Sequence, residues 1–162
     1  MTRHYPIGID RLGLWSSRYA LELSELARAR GLAPEHFANL IGQDRMAVPP
    51  PGEDVVTMAA NAARLALEDV DPEQISLLAF GTESGIDQSK AGGIYVHHLL
   101  GLPSRCRVFE LKQACYGATA GLQHALAMVR ANPGKKALVI ASDIARYGLG
   151  TPGEATQGGG AL

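Results

Sequence analysis

The alternation of apolar and polar positions predicts strands and helices that follow one another along the chain. In the first third, an alternating pattern over residues 7–15 predicts a strand, and helical spacing over residues 20–30 predicts a helix that Gly31 ends. A second helix is expected after Asp54, because the apolar residues that follow it recur every three or four positions. These residues are Val55, Met58, Ala62 and Leu65.

The rest of the chain contains three near-continuous apolar runs, which are typical of strands buried on both faces. They are ISLLAF, CRVFEL and KKALVIASDIA, beginning at Ile75, Cys106 and Lys135. Between them the pattern predicts a helix that ends near Gly101 and a longer helix over residues 116–130. The resulting order is strand, helix, helix, strand, helix, strand, helix, strand, which indicates an α/β layer with a mixed or parallel sheet.

The sequence also predicts how these elements are organised into domains. Residues 1–162 contain no internal repeat and no linker long enough to divide them, so we expect one structural unit. The last ten residues, GEATQGGGAL, have the small apolar character of another buried strand. We therefore expect this sequence to be the first part of a longer protein, or one of two chains that complete each other.

Composition narrows the possible classes of function. A formal net charge of −1 provides no basic field for nucleic acid. No apolar run approaches the roughly 20 residues of a membrane span, and the first residues lack the apolar core of a signal peptide, so a cytoplasmic location is expected. Two cysteines, Cys106 and Cys115, are too few for a disulfide framework and are predicted to be thiols.

Cys115 is the first candidate for catalysis. It lies between an apolar run and a helix, where unpaired backbone N–H groups and the positive end of the helix dipole favour a thiolate and can hold a developing oxyanion. The helix after it is rich in glycine and alanine, which a helix tolerates where something must pack very close to it. The alternative is that a small apolar residue simply suits a junction between strand and helix.

Glu83 is the second candidate, because it follows the first buried strand at its carboxyl end, where open α/β sheets gather their catalytic groups. A carboxylate there can be desolvated enough to act as a base near neutral pH, and a turn-stabilising acid is the alternative. The sequence predicts no cofactor, since Gly158-Gly159-Gly160 lacks the Lys-Ser/Thr of a phosphate loop, and no metal, since its histidines have no metal-like spacing. They are His4, His36, His97, His98 and His124.

Six blocks of sequence resemble those of bacterial hydroxymethylglutaryl-CoA synthases, in the same order and at compatible spacing. They are GIDRLGLW, IGQDRMAV, EDVVTMAANAA, GTESGIDQSKA, FELKQACYGATAGLQ and LVIASDIARYGL…GEATQG. The resemblance covers nearly the whole chain and implies a thiolase-like fold, of which this is the N-terminal half, and a homodimer. It also implies condensation of an acetyl group with acetoacetyl-CoA to give hydroxymethylglutaryl-CoA. This reaction is a step of the mevalonate pathway of isoprenoid biosynthesis.

The resemblance further implies roles for individual residues. Cys115 matches the nucleophile that takes the acetyl group as a thioester, and Glu83 matches the acid/base that removes a proton from that acetyl. The residues that fall in motifs of the substrate and carrier surface are Tyr116, Asp143, Thr156 and Ala33. Many members have an acid at the position of Ala33. The family's catalytic histidine belongs to the C-terminal half, and none of the five histidines here lies in its motif.

Two other functions remain open at this point. A close relative of these synthases uses acyl groups on acyl carrier protein to install β-branches during polyketide assembly, and turnover with acetyl-CoA against acetyl-carrier protein distinguishes the two. A non-catalytic subunit or scaffold with the same fold is an alternative of another class. The presence of both Cys115 and Glu83 argues against it, because a site without catalysis has no physical need for either.

Overall fold

The computed structural model describes residues 6–162, which form twelve helices and strands and two short 3-10 turns. In chain order the helices and strands are β1 (Trp15–Ser16), β2 (Tyr19–Glu22), α1 (Leu23–Ala29), α2 (His36–Ile41), β3 (Arg45–Val48), α3 (Val55–Ala66), β4 (Ile75–Gly81), α4 (Gly92–Leu99), β5 (Arg107–Leu111), α5 (Gly117–Ala131), β6 (Lys136–Ala145) and β7 (Gly158–Ala161). The 3-10 turns cover Pro72–Gln74 and Glu154–Thr156.

Five strands form one mixed sheet in the order β1-β7-β6-β4-β5. The central strand β4 pairs in parallel with β5 on one side and with β6 on the other, whereas β7 is antiparallel to both β6 and β1. Strands β2 and β3 form a separate antiparallel pair. This confirms the α/β layer with a mixed sheet. Because the carboxyl ends of parallel strands meet at one edge, the segments after β4 and β5 lie side by side.

Alternate residues of β4 face two different helical layers. Leu78 and Phe80 are fully buried in one core cluster with α3 and α4. On the other face Ala79 packs against α5, where a Cβ added to Gly121 would lie 3.2 Å from the Cβ of Ala79. A Cβ on Gly81 would lie only 2.6 Å from the backbone nitrogen of Ala118 in α5. The small residues of α5 thus allow the close packing that its composition predicted.

Local signals placed several elements correctly. Helix α3 begins after Asp54, whose carboxylate accepts a hydrogen bond from the backbone N–H of Thr57 (2.8 Å), and the Thr57 hydroxyl accepts one in return from the backbone N–H of Asp54 (2.8 Å). Gly31 follows α1 with a φ of 70°, as expected of a residue that ends a helix. None of the helices in the described part of the chain is long and apolar enough to cross a membrane.

The predictions were wrong in three places. Of the strand predicted over residues 7–15, only Trp15 is paired, because β1 meets β7 at Trp15 and Ser16 alone. The predicted helix over residues 20–30 begins at Leu23, since Tyr19–Glu22 pairs with β3. Strands β5 and β6 are not buried on both faces. β5 is a half-buried edge strand, and along β6 buried and half-buried residues alternate.

Candidate active site

Cys115 lies in a tight turn between β5 and α5. The backbone N–H of Tyr116 donates to the carbonyl of Gln113 (3.0 Å), and that of Gly117 donates to the carbonyl of Ala114 (3.1 Å). Ala114 has a φ of 45°, in the left-handed region that costs an alanine about 1–2 kcal/mol. Helix α5 begins at Gly117, one residue after the predicted start, so Cys115 directly precedes the N-cap residue. The turn leaves the thiol exposed.

Glu83 faces Cys115 across the carboxyl edge of the sheet. The Cys115 thiol lies 3.7 Å from Glu83 Oε1, within reach of a weak S–H···O hydrogen bond. The two residues are 32 positions apart, and they meet because β4 and β5 are parallel neighbours. Among the described residues Glu83 is exposed, which differs from the desolvated carboxylate that its position at the end of a buried strand suggested. The two candidates that the sequence singled out separately therefore form one site.

Asp143 holds the turn that carries Glu83. Its Oδ1 accepts four hydrogen bonds, from the backbone N–H groups of Glu83 (2.6 Å) and Ser84 (3.0 Å) and from the hydroxyls of Ser84 (2.8 Å) and Thr82 (3.0 Å). The Ser84 hydroxyl in turn accepts the backbone N–H of Ile144 (2.9 Å). Asp143 belongs to β6, which flanks β4 on the side opposite β5. A residue expected to contact substrate thus has one carboxylate oxygen committed to the turn of Glu83.

The other residues expected at the substrate surface make local contacts. The Tyr116 hydroxyl donates to Gln123 Oε1 (3.0 Å), so its ring runs along α5. The Thr156 hydroxyl donates to the carbonyl of Gly153 (2.8 Å). Ala33 is exposed in the turn between α1 and α2. Within residues 6–162 none of these three is hydrogen-bonded to Cys115 or Glu83.

An ion pair between exposed Arg30 and buried Glu154, which sequence reasoning missed, joins two of these surface segments. The Arg30 guanidinium binds both carboxylate oxygens of Glu154, with an Nε–Oε2 distance of 2.9 Å, and the backbone N–H of Gly150 also donates to Oε2 (3.0 Å). Glu154 is only 5% exposed. The hydrogen bond and charge of Arg30 lower the pKa of Glu154, and Glu154 in the same way raises the pKa of Arg30. The pair connects the end of α1, before Ala33, with the segment that carries Thr156.

The second cysteine has a different environment. Cys106 is 7% exposed, and burial raises the pKa of its thiol, which keeps the thiol protonated. Cys106 and Cys115 are both free thiols, as predicted. In the chain from residue 6 onward, no group of three or more histidine, cysteine or acidic side chains could hold a metal ion, and His4 lies outside the described residues.

Comparison with known proteins shows what the chain is similar to. Residues 3–162 match a family model described as the N-terminal part of hydroxymethylglutaryl-coenzyme A synthase. A hydroxymethylglutaryl-CoA synthase of Enterococcus faecalis is 50% identical over 156 residues, which are 96% of this chain and 41% of that protein. A polyketide biosynthesis 3-hydroxy-3-methylglutaryl-ACP synthase of Bacillus subtilis (strain 168) is 42% identical over 153 residues, 91% of this chain and 36% of that protein.

Solved structures of such synthases also superimpose on this chain. A crystal structure of a hydroxymethylglutaryl-CoA synthase complexed with CoA superimposes with a TM-score of 0.92 and 48% identity, covering 95% of this chain and 40% of that one. The synthase of the curacin biosynthetic pathway, in complex with acetyl donor-ACP, superimposes with a TM-score of 0.89 and 40% identity, covering 95% and 39%. The chain spans about two fifths of the length of these two curated relatives.

Proposed function

Because this chain belongs to the hydroxymethylglutaryl-coenzyme A synthase family, we propose that it forms the N-terminal part of an acyltransferase that condenses an acetyl group with acetoacetyl-CoA. Its fold is the thiolase-like α/β fold of that family, as the resemblance implied. The observation that carries the proposal is the 3.7 Å approach of the Cys115 thiol to Glu83 Oε1. A nucleophile and a carboxylate at this distance can act on the same bound acetyl group.

In the first step Cys115 acts as the nucleophile. The Cys115 thiol loses its proton, and the thiolate attacks the carbonyl carbon of the acetyl thioester. The new C–S bond forms as the C–S bond to the carrier breaks, and the carrier sulfur takes up a proton and leaves as a thiol. Backbone strain at Ala114, next to the nucleophile, supports a functional reading of this turn, because such strain persists where the surrounding structure enforces it.

In the second step Glu83 acts as the base. It removes a proton from the methyl group of the acetyl thioester, and the resulting enolate attacks the ketone carbon of acetoacetyl-CoA. A histidine supplied by the C-terminal half of the protein protonates the alkoxide that forms. Water then cleaves the thioester, which releases 3-hydroxy-3-methylglutaryl-CoA and restores the Cys115 thiol. Asp143 orients Glu83 by accepting a hydrogen bond from the backbone N–H of Glu83. Tyr116, Thr156 and Ala33 contribute to the substrate and carrier surface.

We further propose that the C-terminal half of the enzyme completes this chain, and that the complete enzyme is a homodimer in the cytoplasm. An open groove whose surface is mostly apolar runs between residues 6–13 and α5, over residues 137–141 of β6. Leu122 of α5 is among the exposed apolar side chains along it. The curated relatives are more than twice as long as the stretch they share with this chain. The groove is a surface that the second half would cover.

The carrier is the point on which two functions differ. Relatives named for CoA and for acyl carrier protein both match this chain, and solved relatives include complexes with CoA, with 3-hydroxy-3-methylglutaryl coenzyme A and with acetyl donor-ACP. We assign CoA to this chain because the CoA-named relative is the more similar, at 50% against 42% identity. β-Branching on acyl carrier protein is the second candidate. Comparing turnover of acetyl-CoA with that of acetyl-carrier protein separates them.

The proposed nucleophile can be tested by acetyl labelling of the complete protein that contains this chain. One labelled acetyl group is expected on Cys115, and Cys115→Ser should abolish it, since an unactivated hydroxyl is a far weaker nucleophile than a thiolate. Cys106→Ala is the matched control and should retain the label, because Cys106 is buried. Label that persists in Cys115→Ser, or that maps to Cys106, would remove Cys115 from the mechanism.

A further inference from the structure

The segment that links Glu83 to α4 is held at both ends by carboxylates from the flanking strands. Asp143 of β6 binds its first residues, as described above. At the other end, Glu110 of β5 accepts a hydrogen bond on Oε2 from the backbone N–H of Gly92, at 2.7 Å. Gly92 is the first residue of α4, and that helix has no side-chain cap of its own because its N-cap residue is Ala91. Glu110 therefore caps a helix from a neighbouring strand.

The Glu110 carboxylate also lies against the turn next to Glu83. A Cβ built on Gly85 would lie 3.0 Å from Glu110 Oε1, and one built on Gly92 would lie 3.3 Å from Oε2. The carboxylate is thus wedged between two glycines that begin and end residues 85–92. Gly85 is only two positions after Glu83, so a shift of this turn would move the proposed base.

The position of Glu110 in the sheet connects this contact to the nucleophile. Glu110 pairs with Phe80 of β4 and belongs to the strand that leads, five residues later, to Cys115. Its side chain therefore joins the strand of the nucleophile to the segment of the base. We propose that Glu110 is a positioning residue for Glu83, holding residues 85–92 against β5 so that the Glu83 carboxylate stays beside the Cys115 thiol. This inference rests on the proposed function of Glu83.

The proposal predicts a split between the two chemical steps. Acetylation of Cys115 does not use Glu83, so Glu110→Ala should leave its rate within about twofold. Condensation requires Glu83 in place, and a misplacement on the order of 1 Å costs up to about a hundredfold, so a loss of about tenfold or more is expected. Glu110→Gln keeps an acceptor for the Gly92 N–H and should recover most of the activity.

Two further variants test the same contact. Gly85→Ala places a methyl group against Glu110 Oε1 and should show the same split as Glu110→Ala. Glu73→Ala is the matched control, because Glu73 is an exposed glutamate that pairs with Arg105 before the amino end of β4. It should change neither rate. Equal losses of acetylation and condensation in Glu110→Ala, or unchanged condensation, would overturn the proposal.

An amide hydrogen-exchange measurement separates this inference from the function on which it rests. Glu110→Ala should speed exchange in residues 83–92 relative to wild type, whereas Glu73→Ala should not. Unchanged exchange there would overturn the positioning role even if condensation is lost. If wild type is not acetylated on Cys115, or if Glu83→Ala condenses at the wild-type rate, the proposed function fails and the role of Glu110 in catalysis fails with it.

Discussion

Replacing Asp143 with asparagine tests whether a single carboxylate oxygen sets the position of Glu83. The substitution keeps the size of the side chain and an oxygen acceptor but removes the charge. In the structure Oδ1 accepts four hydrogen bonds, two of them from the backbone N–H groups of Glu83 and Ser84. Asp143→Asn should therefore loosen the turn of Glu83 without disturbing Cys115.

The magnitude follows from the hydrogen bonds to Oδ1. A hydrogen bond to a charged acceptor contributes about 1.5–3 kcal/mol, against about 0.5–1.5 kcal/mol for a neutral one, so each bond weakens by about 1 kcal/mol. Four donors share the lone pairs of one oxygen, and the Glu83 end of the turn is exposed to water, so the losses do not add in full. We take the net loss of free energy that holds Glu83 in its reactive position as about 2 kcal/mol. This loss lowers the population of that position, and with it the rate of condensation, about thirtyfold.

The assay compares acetylation of Cys115 with condensation in the complete protein. Asp143→Asn should acetylate at nearly the wild-type rate and condense about thirtyfold more slowly. Asp71→Asn is the matched control, because Asp71 also accepts a backbone N–H, that of Glu73 (2.9 Å), but lies before the amino end of β4. A folded Asp143→Asn protein that condenses as fast as Asp71→Asn would refute the reasoning.

Three further changes test local features of the structure. Ala114→Gly should raise the free energy of unfolding in urea by about 0.5–1 kcal/mol, because glycine adopts the left-handed conformation without strain; no change would argue against strain at this turn. Gly81→Ala should lower the free energy of unfolding by about 1–3 kcal/mol, since the new methyl would lie 2.6 Å from the backbone nitrogen of Ala118. A wild-type melting temperature would contradict this packing. Arg30 lowers the folded-state pKa of Glu154, so the stability this carboxylate adds is present above its unfolded pKa of about 4.3 and is lost as the pH falls through the lower folded value. Melting temperatures from pH 7 to pH 3 should thus fall less steeply for Glu154→Gln than for wild type, and identical slopes would exclude this contribution.

Elements with local signals could be predicted from the sequence. Strand β4 is a continuous apolar run and is buried on both faces, because it has a strand on each side and a helical layer on each face. Helix α3 begins at the residue after Asp54, whose capping hydrogen bonds involve only residues three positions apart. The length of α5 follows from its composition and from the turn residues after it.

Elements that depend on distant partners could not be predicted in the same way. Residues 19–22 have the composition of a helix, yet they form β2 because Arg45–Val48 offers them a partner. Residues 7–14 alternate as a strand does, but within the described structure they lack a paired neighbour. Periodicity reports which faces of a segment are apolar, and it does not report whether another backbone is present to accept its hydrogen bonds.

The candidate site shows the same division. Cys115 and Glu83 were each recognisable, one between a strand and a helix and the other at the end of a strand. Their contact depends on β4 and β5 being neighbours in the sheet, and neither local signal reports which strands are neighbours. The hold of Asp143 on the turn of Glu83 involves backbone N–H groups, which have no sequence signature. The cap that Glu110 provides to α4 likewise joins residues 18 positions apart.

The most direct test of the central claim, that Cys115 and Glu83 carry out successive steps on one acetyl group, uses Glu83→Ala in the complete protein. The variant is incubated with acetyl-CoA and acetoacetyl-CoA, and mass spectrometry measures the acetyl group on Cys115 while the condensation product is quantified. We predict that acetyl-Cys115 accumulates and that no product forms, because proton removal follows acyl transfer. Condensation at near the wild-type rate would contradict the account.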